Sequence, residues 1–467
     1  MSDASAGPRL PLSVKAAYGL ADMGINVFVI FKGLLVFAFL VQFSGVDPRL
    51  AGWVTSAVLV IDVITDPLMG WLSDRTGGRF GRRHPYIITG AVLMAVLMIV
   101  TFAVPADLSE AASAIWVFFF FALGSIAFTM IVIPYGSLSV ELTDSPQERA
   151  TMTGWRMAAA GIGILLTGGA FPILINPNGL ALSHAMAMTV YAPIVIATIW
   201  IAAFSTLGHR NTDPVQAVRF SQQVGAALRN RRFVVLTLIY GVQTFGIAFI
   251  TLGIPFAAAE LIISTGATGA LATVWVLGSF STAFALFILG SMLSQVVWVT
   301  LSKVIGKKAT FMGGIVYYGI VLVGFYLVLH SSGAMAVGTT NLGLITLFIF
   351  LIGAANGCYQ QLPWSMMPDL VDWSARRENF KVEGAFSGLW LLGQKVGNAL
   401  APLVLGQLLA LYGWISSTNG GDVTQLPEAV DALRWALTLI PAGLMFISVP
   451  LYVLFDRMAI QAQEAGR

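Results

Sequence analysis

Two carboxylates one helical turn apart in an otherwise apolar run, Asp62 and Asp66 in IDVITDPLMG, are the residues whose type and spacing most plainly suit chemistry. At i and i+4 both project from one face of a helix. Two anions that close repel, which raises the proton affinity of one of them unless a cation sits between. Carboxylate oxygens are hard ligands, so the pair suits a small cation, Na+ or a proton. The structural alternative is that Lys32, Arg156 or Lys395 neutralises the acids and ties helices together. Pro67 removes a backbone donor just after Asp66 and frees a carbonyl that can also face a cation.

Other ionisable residues interrupt apolar runs: Asp22, Lys32, Arg156 and Lys395. At membrane depth each costs about 2.5–3.5 kcal/mol on insertion scales, which makes it a functional candidate. Lys395, in LWLLGQKVGNALAP, sits about ten residues and ~15 Å into its run, deep for snorkelling. It needs an anionic partner, and Asp62 or Asp66 across a cavity is the expected one. Arg156 is nearer the start of its run, where solute contact and snorkelling compete. Lys32 is flanked by bulky apolar residues and is expected to pack against an acid elsewhere. Four scattered histidines and the single Cys358 suggest no metal cluster and no internal disulfide.

The elements that must position these residues follow from composition. Of 467 residues 57% are hydrophobic and only 10% charged, against about 25% charged in a soluble chain. This is an all-α polytopic membrane protein, and secreted, nucleic-acid-binding and cytosolic-enzyme readings fall away. A crossing helix needs about 20 apolar residues. Windows lie near 14–42, 49–72, 85–105, 113–140, 152–175 and 184–207, then near 233–260, 274–301, 309–330, 340–366, 385–412 and 433–455. The first is too long for a cleaved signal segment. Twelve windows divide six and six about the charged stretch 209–232, giving an N-terminal bundle 1–208, a cytoplasmic linker 209–232 and a C-terminal bundle 233–467. Of the 25 Lys and Arg, twenty fall in the termini and the alternate loops on their side, and only Arg49 and Arg434 in the others. The positive-inside rule then puts both termini in the cytoplasm.

The halves also repeat each other. GWLSDRTGGRFGRRHP after the second window has its counterpart in VTLSKVIGKKAT after the eighth, and IPYGSLSVELTDSPQER after the fourth in LPWSMMPDLVDWSARRE after the tenth. Paired six-helix halves around a midplane cavity are how many secondary transporters alternate access. No GxxxxGK[ST] phosphate loop occurs, so the expected energy source is a gradient rather than ATP.

YGLADMGIN, DVITDPLMGWLSDRTGGRFGRRHPYI, IPYGSLSVELTDSPQERATMTGWR, and PDLVDW followed by KVEGAFSGLWLLGQK resemble, in that order, the glycoside–pentoside–hexuronide:cation symporters. These melibiose-permease-like carriers belong to the major facilitator superfamily, and the similarity runs from about Tyr18 to Lys395. It implies a twelve-helix major-facilitator fold of two six-helix pseudo-repeats and no enzymatic activity. It implies that Asp62 and Asp66 match two cation carboxylates, with Thr129 and Thr65 as polar neighbours. Arg156 matches an arginine at the sugar site and Lys395 a lysine near both sites. Asp22, Asn26, Tyr135 and Gln360 complete the candidate solute contacts. Asp369, Asp372 and Glu383 fall in a cytoplasmic motif that resembles a gate, with Arg149 among its basic partners.

The chain also departs from that pattern. Positions where melibiose-type carriers hold sugar hydroxyls with acids align with Asn26 and Val132, and a tryptophan near the sugar is replaced around Tyr359–Gln361. Galactoside specificity is therefore not expected, while the cation site is intact. The sequence supports a cation-coupled symporter of a sugar or glycoside-type solute in the bacterial inner membrane. It would be monomeric, surrounded by lipid, without nucleic-acid partners, and without a cofactor beyond the coupling Na+ or H+. The alternatives are a carrier of lysolipid or another amphipathic solute, which Val132 favours, and a drug/proton antiporter. A non-transporting sensor has no appended signalling domain behind it.

Overall fold

The computed structural model describes residues 10–77, 80–143, 145–175, 180, 182–208, 225, 227–262, 274–275, 277–331, 339–378, 383–418, 420–421 and 423–464. Most of the stretch 209–232 thus lies outside the described residues. Among the described residues, eleven helices are long and apolar enough to cross a bilayer. They are α1 (Leu12–Gln42), α2 (Pro48–Arg75), α3 (His84–Phe102), α4 (Glu110–Ser139), α5 (Gln147–Ile175), α6 (His184–Thr206), α7 (Arg231–Glu260), α8 (Ser279–Ile305), α9 (Lys307–His330), α10 (Leu342–Val371) and α12 (Pro427–Met458). The remaining helix, α11 (Glu383–Leu411), has 29 residues. At about 1.5 Å per residue it too can span the hydrocarbon. Gln394, Lys395, Asn398 and Gln407 dilute its apolar character.

Entry into several helices is set by short polar side chains. Ser109, Ser145, Ser183 and Asn230 accept hydrogen bonds from the backbone N–H of Ala112, Glu148, Met186 and Phe233, respectively. Each satisfies a donor that the first turn leaves unpaired. Boundaries differ from the hydropathy windows where local chemistry overrides composition. α8 starts at Ser279 rather than near 274 because Gly278 takes φ 83°, outside the helical region. The last span begins with Pro427–Leu437, whose Arg434 bonds Asp431 at 2.6 Å. Its charge hides it from a hydropathy scan.

The chain divides into two compact units. The first holds residues 1–46 and 57–215 with 417–420, and the second 47–56 and 216–416 with 421–467. In the first, α1 packs against α5 and α6, and α3 against α4 and α6. In the second, α7 packs against α11 and α12, and α8 against α10. Small residues permit these approaches. A Cβ on Gly163 of α5 would collide with the Met23 carbonyl of α1. A Cβ on Gly397 of α11 would lie 2.6 Å from the Gly241 carbonyl of α7.

Two π-helical turns interrupt the first unit, Phe31–Leu35 in α1 and Leu166–Ala170 in α5. Such turns insert one extra residue and rotate the remainder of the helix about its axis, and they concentrate at functional sites. The first carries Lys32.

Candidate functional site

The acid pair lies in the interior of the first unit. Asp62 is 2% exposed and Asp66 partly buried, both on α2. Lys32 Nζ donates to Asp62 Oδ2 at 2.8 Å, so the acid that Lys32 was expected to find is Asp62. Its ammonium also sits 4.2 Å from the ring centroid of Phe128 on α4, a favourable cation–π placement. The Ser125 hydroxyl donates to Asp62 Oδ1 in a short hydrogen bond. One turn on, Thr129 Oγ1 donates to Asp66 Oδ1 at 3.1 Å, and the Thr65 hydroxyl lies 3.4 Å from that of Thr129.

Asp62, Asp66, Thr65 and Thr129 are thus brought together. Ser125 is the member that sequence reasoning missed. Its signal was available: Ser125 and Thr129 stand at i and i+4 on α4, matching the spacing of Asp62 and Asp66 on α2. The grouping assembles two carboxylates, three hydroxyls and one ammonium in a low-dielectric interior. Its oxygens form a set of hard donors fit for a small monovalent cation.

A second polar cluster sits on α1, α4 and α5. Arg156 Nε donates to Asp22 Oδ2 at 2.6 Å and Nη2 to Oδ1 at 3.3 Å, a two-pronged pair. The Tyr135 hydroxyl lies 2.6 Å from Asp22 Oδ2 and 2.9 Å from the Tyr18 carbonyl, able to donate to either. Tyr18 returns the contact through its own hydroxyl to the Tyr135 carbonyl at 3.0 Å, and the two rings stack with centroids 4.5 Å apart. The Arg156 guanidinium lies 4.8 Å from the Tyr135 ring centroid. Asp22 is 5% exposed, whereas the Arg156 side chain is 27% exposed. Both Asp22 oxygens are engaged within the protein, so Asp22 anchors the arginine, part of which remains accessible. Asn26 turns back onto its own helix, its amide donating to the Asp22 carbonyl at 2.7 Å.

The other candidates are placed separately. In the second unit Gln360 is exposed on α10 and Lys395 partly buried on α11. Lys307 Nζ bonds both the Asp369 carboxylate, at 2.8 Å, and the Ser365 carbonyl, at 2.9 Å. The side chains of Asp372 and Glu383 lie outside the described residues. In the first unit Arg149 Nε donates to the Thr143 carbonyl at 2.9 Å. The basic loop after α2 is held through Glu141, which was not among the sequence candidates. Its Oε1 accepts from Arg82 at 2.6 Å and Arg83 at 3.1 Å, while Arg83 also pairs with Asp74 at 2.6 Å. Burial alone would raise the pKa of Glu141, but hydrogen bonds and charge from Arg82 and Arg83 outweigh it and hold the carboxyl below its ordinary value.

The chain is similar to a glucuronide carrier protein homolog of Escherichia coli, 25% identical with 94% of this chain and 92% of that protein covered. It is similar to an isoprimeverose transporter of Lactiplantibacillus pentosus, 22% identical over 95% and 89% of the two chains. In fold it resembles a bacterial homologue of the drug peptide transporters PepT1 and PepT2, with TM-score 0.66, 14% identity and 97% and 99% coverage. It also resembles the nucleoside transporter NupG, with TM-score 0.64, 15% identity and 95% and 99% coverage. The sequence matches the family described as MFS/sugar transport protein over residues 15–456. This multi-pass, twelve-helix chain therefore belongs to the glycoside–pentoside–hexuronide:cation symporter family of the major facilitator superfamily and is a transporter, not an enzyme.

Proposed function

We propose that the protein carries a sugar or glycoside-type solute across the membrane together with one cation, Na+ or H+. The observation that bears most weight is the oxygen cluster of Asp62, Asp66, Thr65, Thr129 and Ser125, built around one acid pair of which Asp62 is buried. Arg156 recognises the solute: anchored by Asp22 on one side, its guanidinium keeps donors for hydroxyl or carboxylate oxygens on the other. An acidic sugar is the favoured cargo, since Asn26 and Val132 stand where melibiose-type carriers place acids while Arg156 keeps its positive charge. The similarity to a glucuronide carrier homolog supports that choice.

Cation binding lowers the repulsion within the acid pair and fixes α2 against α4. Solute binding and cation binding then strengthen each other by the same factor, as linkage requires. The carrier works as a monomer in the bacterial inner membrane with both termini cytoplasmic. Exposed apolar side chains such as Ile115, Val296 and Leu327 face the lipid. The test is uptake of glucuronides, pentosides and neutral glycosides into proteoliposomes under an imposed Na+ or proton gradient. Gradient-driven accumulation of a sugar-type solute, lost in Arg156→Ala, is the expected result. Uptake of lysolipid alone would replace this reading with the amphipathic-solute carrier.

A further inference from the structure

The interior of the second unit holds a polar site distinct from the clusters above. Gln243 on α7 is 1% exposed and Tyr318 on α9 2% exposed, and both line one small cavity. Among the described residues neither polar atom of the Gln243 amide has a hydrogen-bond partner, and nor has the Tyr318 hydroxyl. Native interiors pair such groups with protein or with ordered water, because an amide or hydroxyl taken out of bulk solvent without a partner is costly. The next residue along α7 shows the usual outcome: the Thr244 hydroxyl meets that of Tyr359 at 2.6 Å, and Tyr359 also lines the cavity.

Size and chemistry select the occupant. The free space is about 10 Å³, close to one solvent-probe sphere and the least that accommodates a water. A sugar ring or a hydrated ion is far larger. Among the described residues the lining carries no charged side chain, so nothing there compensates an ion. What the lining offers is a neutral donor–acceptor set, Gln243 and Tyr318, within walls that include Phe311, Cys358 and Met445. We propose that a single water molecule is bound here as a permanent part of the second unit, held between the Gln243 amide and the Tyr318 hydroxyl. It donates to Gln243 Oε1 and accepts from the Tyr318 hydroxyl, or accepts from Gln243 Nε2–H and donates to the Tyr318 oxygen. Either arrangement satisfies Tyr318 and one end of the amide, and ties α7 to α9. Because Gln243 adjoins Thr244, the water steadies the turn of α7 that carries the Thr244–Tyr359 contact.

X-ray radiolysis converts water into hydroxyl radicals where the water sits, so a bound molecule marks the buried side chains around it. Phe311 is buried and lines the cavity, and the equally buried Phe121 and Phe171 of the first unit serve as controls. In the purified full-length protein, ring hydroxylation of Phe311 should exceed that of both controls several-fold. After rapid mixing into heavy-oxygen water, the isotope should enter Phe311 later than the exposed loop residue Phe80, because a held water exchanges slowly. Gln243→Leu/Tyr318→Phe should bring Phe311 down to the level of the controls. It should also melt near wild type, since both ends of the contact go together, whereas each single variant strands the other group and should melt lower. Hydroxylation of Phe311 no faster than the controls would overturn the proposal, and that result is read in wild type whether or not the variants fold. Hydroxylation that persists in a folded double variant would overturn it as well. So would isotope entry at Phe311 as fast as at Phe80, which would mean open solvent rather than a held molecule.

Discussion

The two units place different chemistry on repeat-equivalent positions. In the first, Tyr18, Asp22, Tyr135 and Arg156 make a charged cluster in which Arg156 is held by Asp22 and flanked by stacked tyrosines. In the second, Tyr240 and Thr244 share the i, i+4 spacing of Tyr18 and Asp22, Trp364 follows Pro363 as Tyr135 follows Pro134, and Trp390 completes the cluster. Trp390 stacks on Tyr240 with centroids 4.3 Å apart, Tyr240 stacks on Tyr359 at 5.0 Å, and the Trp364 indole N–H donates to the Tyr240 hydroxyl at 2.9 Å. Where Asp22 meets an arginine, Thr244 meets the Tyr359 hydroxyl at 2.6 Å. One backbone plan therefore carries ions in one unit and aromatic stacking in the other. Both clusters sit beside a close helix approach made by a glycine, Gly163 against Met23 in the first unit and Gly397 against Gly241 in the second. The repeat supplies the scaffold and the substitutions on it divide the work.

That division can be broken by moving a charge. Thr244→Asp gives the second unit the acid of the first without its arginine, in a site 3% exposed. An unpaired buried carboxylate should cost about 3–5 kcal/mol, seen as loss of the folded fraction in detergent. Adding Trp390→Arg should recover part of it if the two units are interchangeable at this level. In the first unit Arg156→Ala leaves Asp22 buried with only Tyr135, and we expect a loss of about 3 kcal/mol that Asp22→Asn largely restores. Thermal melting of the two single variants and the double variant provides the cycle. Additive losses would mean that the pair is not a unit.

Smaller changes sharpen the shared part. Gly163→Ala and Gly397→Ala should each destabilise by about 1–3 kcal/mol through overpacking, with similar melting shifts if the approaches are equivalent. Least of all, Glu141→Gln should cost about 1 kcal/mol near neutral pH, since its pairs with Arg82 and Arg83 are partly exposed. Because the Glu141 carboxyl is held below its ordinary value, its contribution is present above the unfolded value and is lost as pH falls through the folded one. The wild type and Glu141→Gln should therefore converge in stability under acid. A gap that widened on acidification would contradict the assigned ion pairs.

Much of this could be read in the sequence because a bilayer simplifies the grammar. Apolar length fixes the helices, and an acid pair at i and i+4 stands out against an apolar run. Lys32 was legible as a residue in need of an acid, but not which acid, because Asp62 lies thirty residues away on another helix and only packing joins them. Ser125 was hidden because serines are common in membrane helices and gain meaning only beside a carboxylate. The shared spacing of Tyr18/Asp22 and Tyr240/Thr244 was missed for a different reason. The loop repeats are carried by charge and proline, whereas within the spans the repeat survives mainly as glycines, which no single-residue pattern distinguishes from helix packing in general. The first residues of α12, 427–432, fall before the window near 433 because Glu428 and Asp431 lower their mean hydropathy.

Coupling of a cation to the solute through the α2 acids is the central claim. The most direct measurement is the solute Kd by calorimetry across a cation titration, with the cation Kd measured in reverse across a solute titration, in wild type and Asp66→Asn. Each ligand should tighten the other by the same factor in wild type, and that factor should fall to one in Asp66→Asn while solute still binds. Equal coupling in both proteins would contradict the assignment of Asp66, and no coupling in wild type would contradict cation-linked transport.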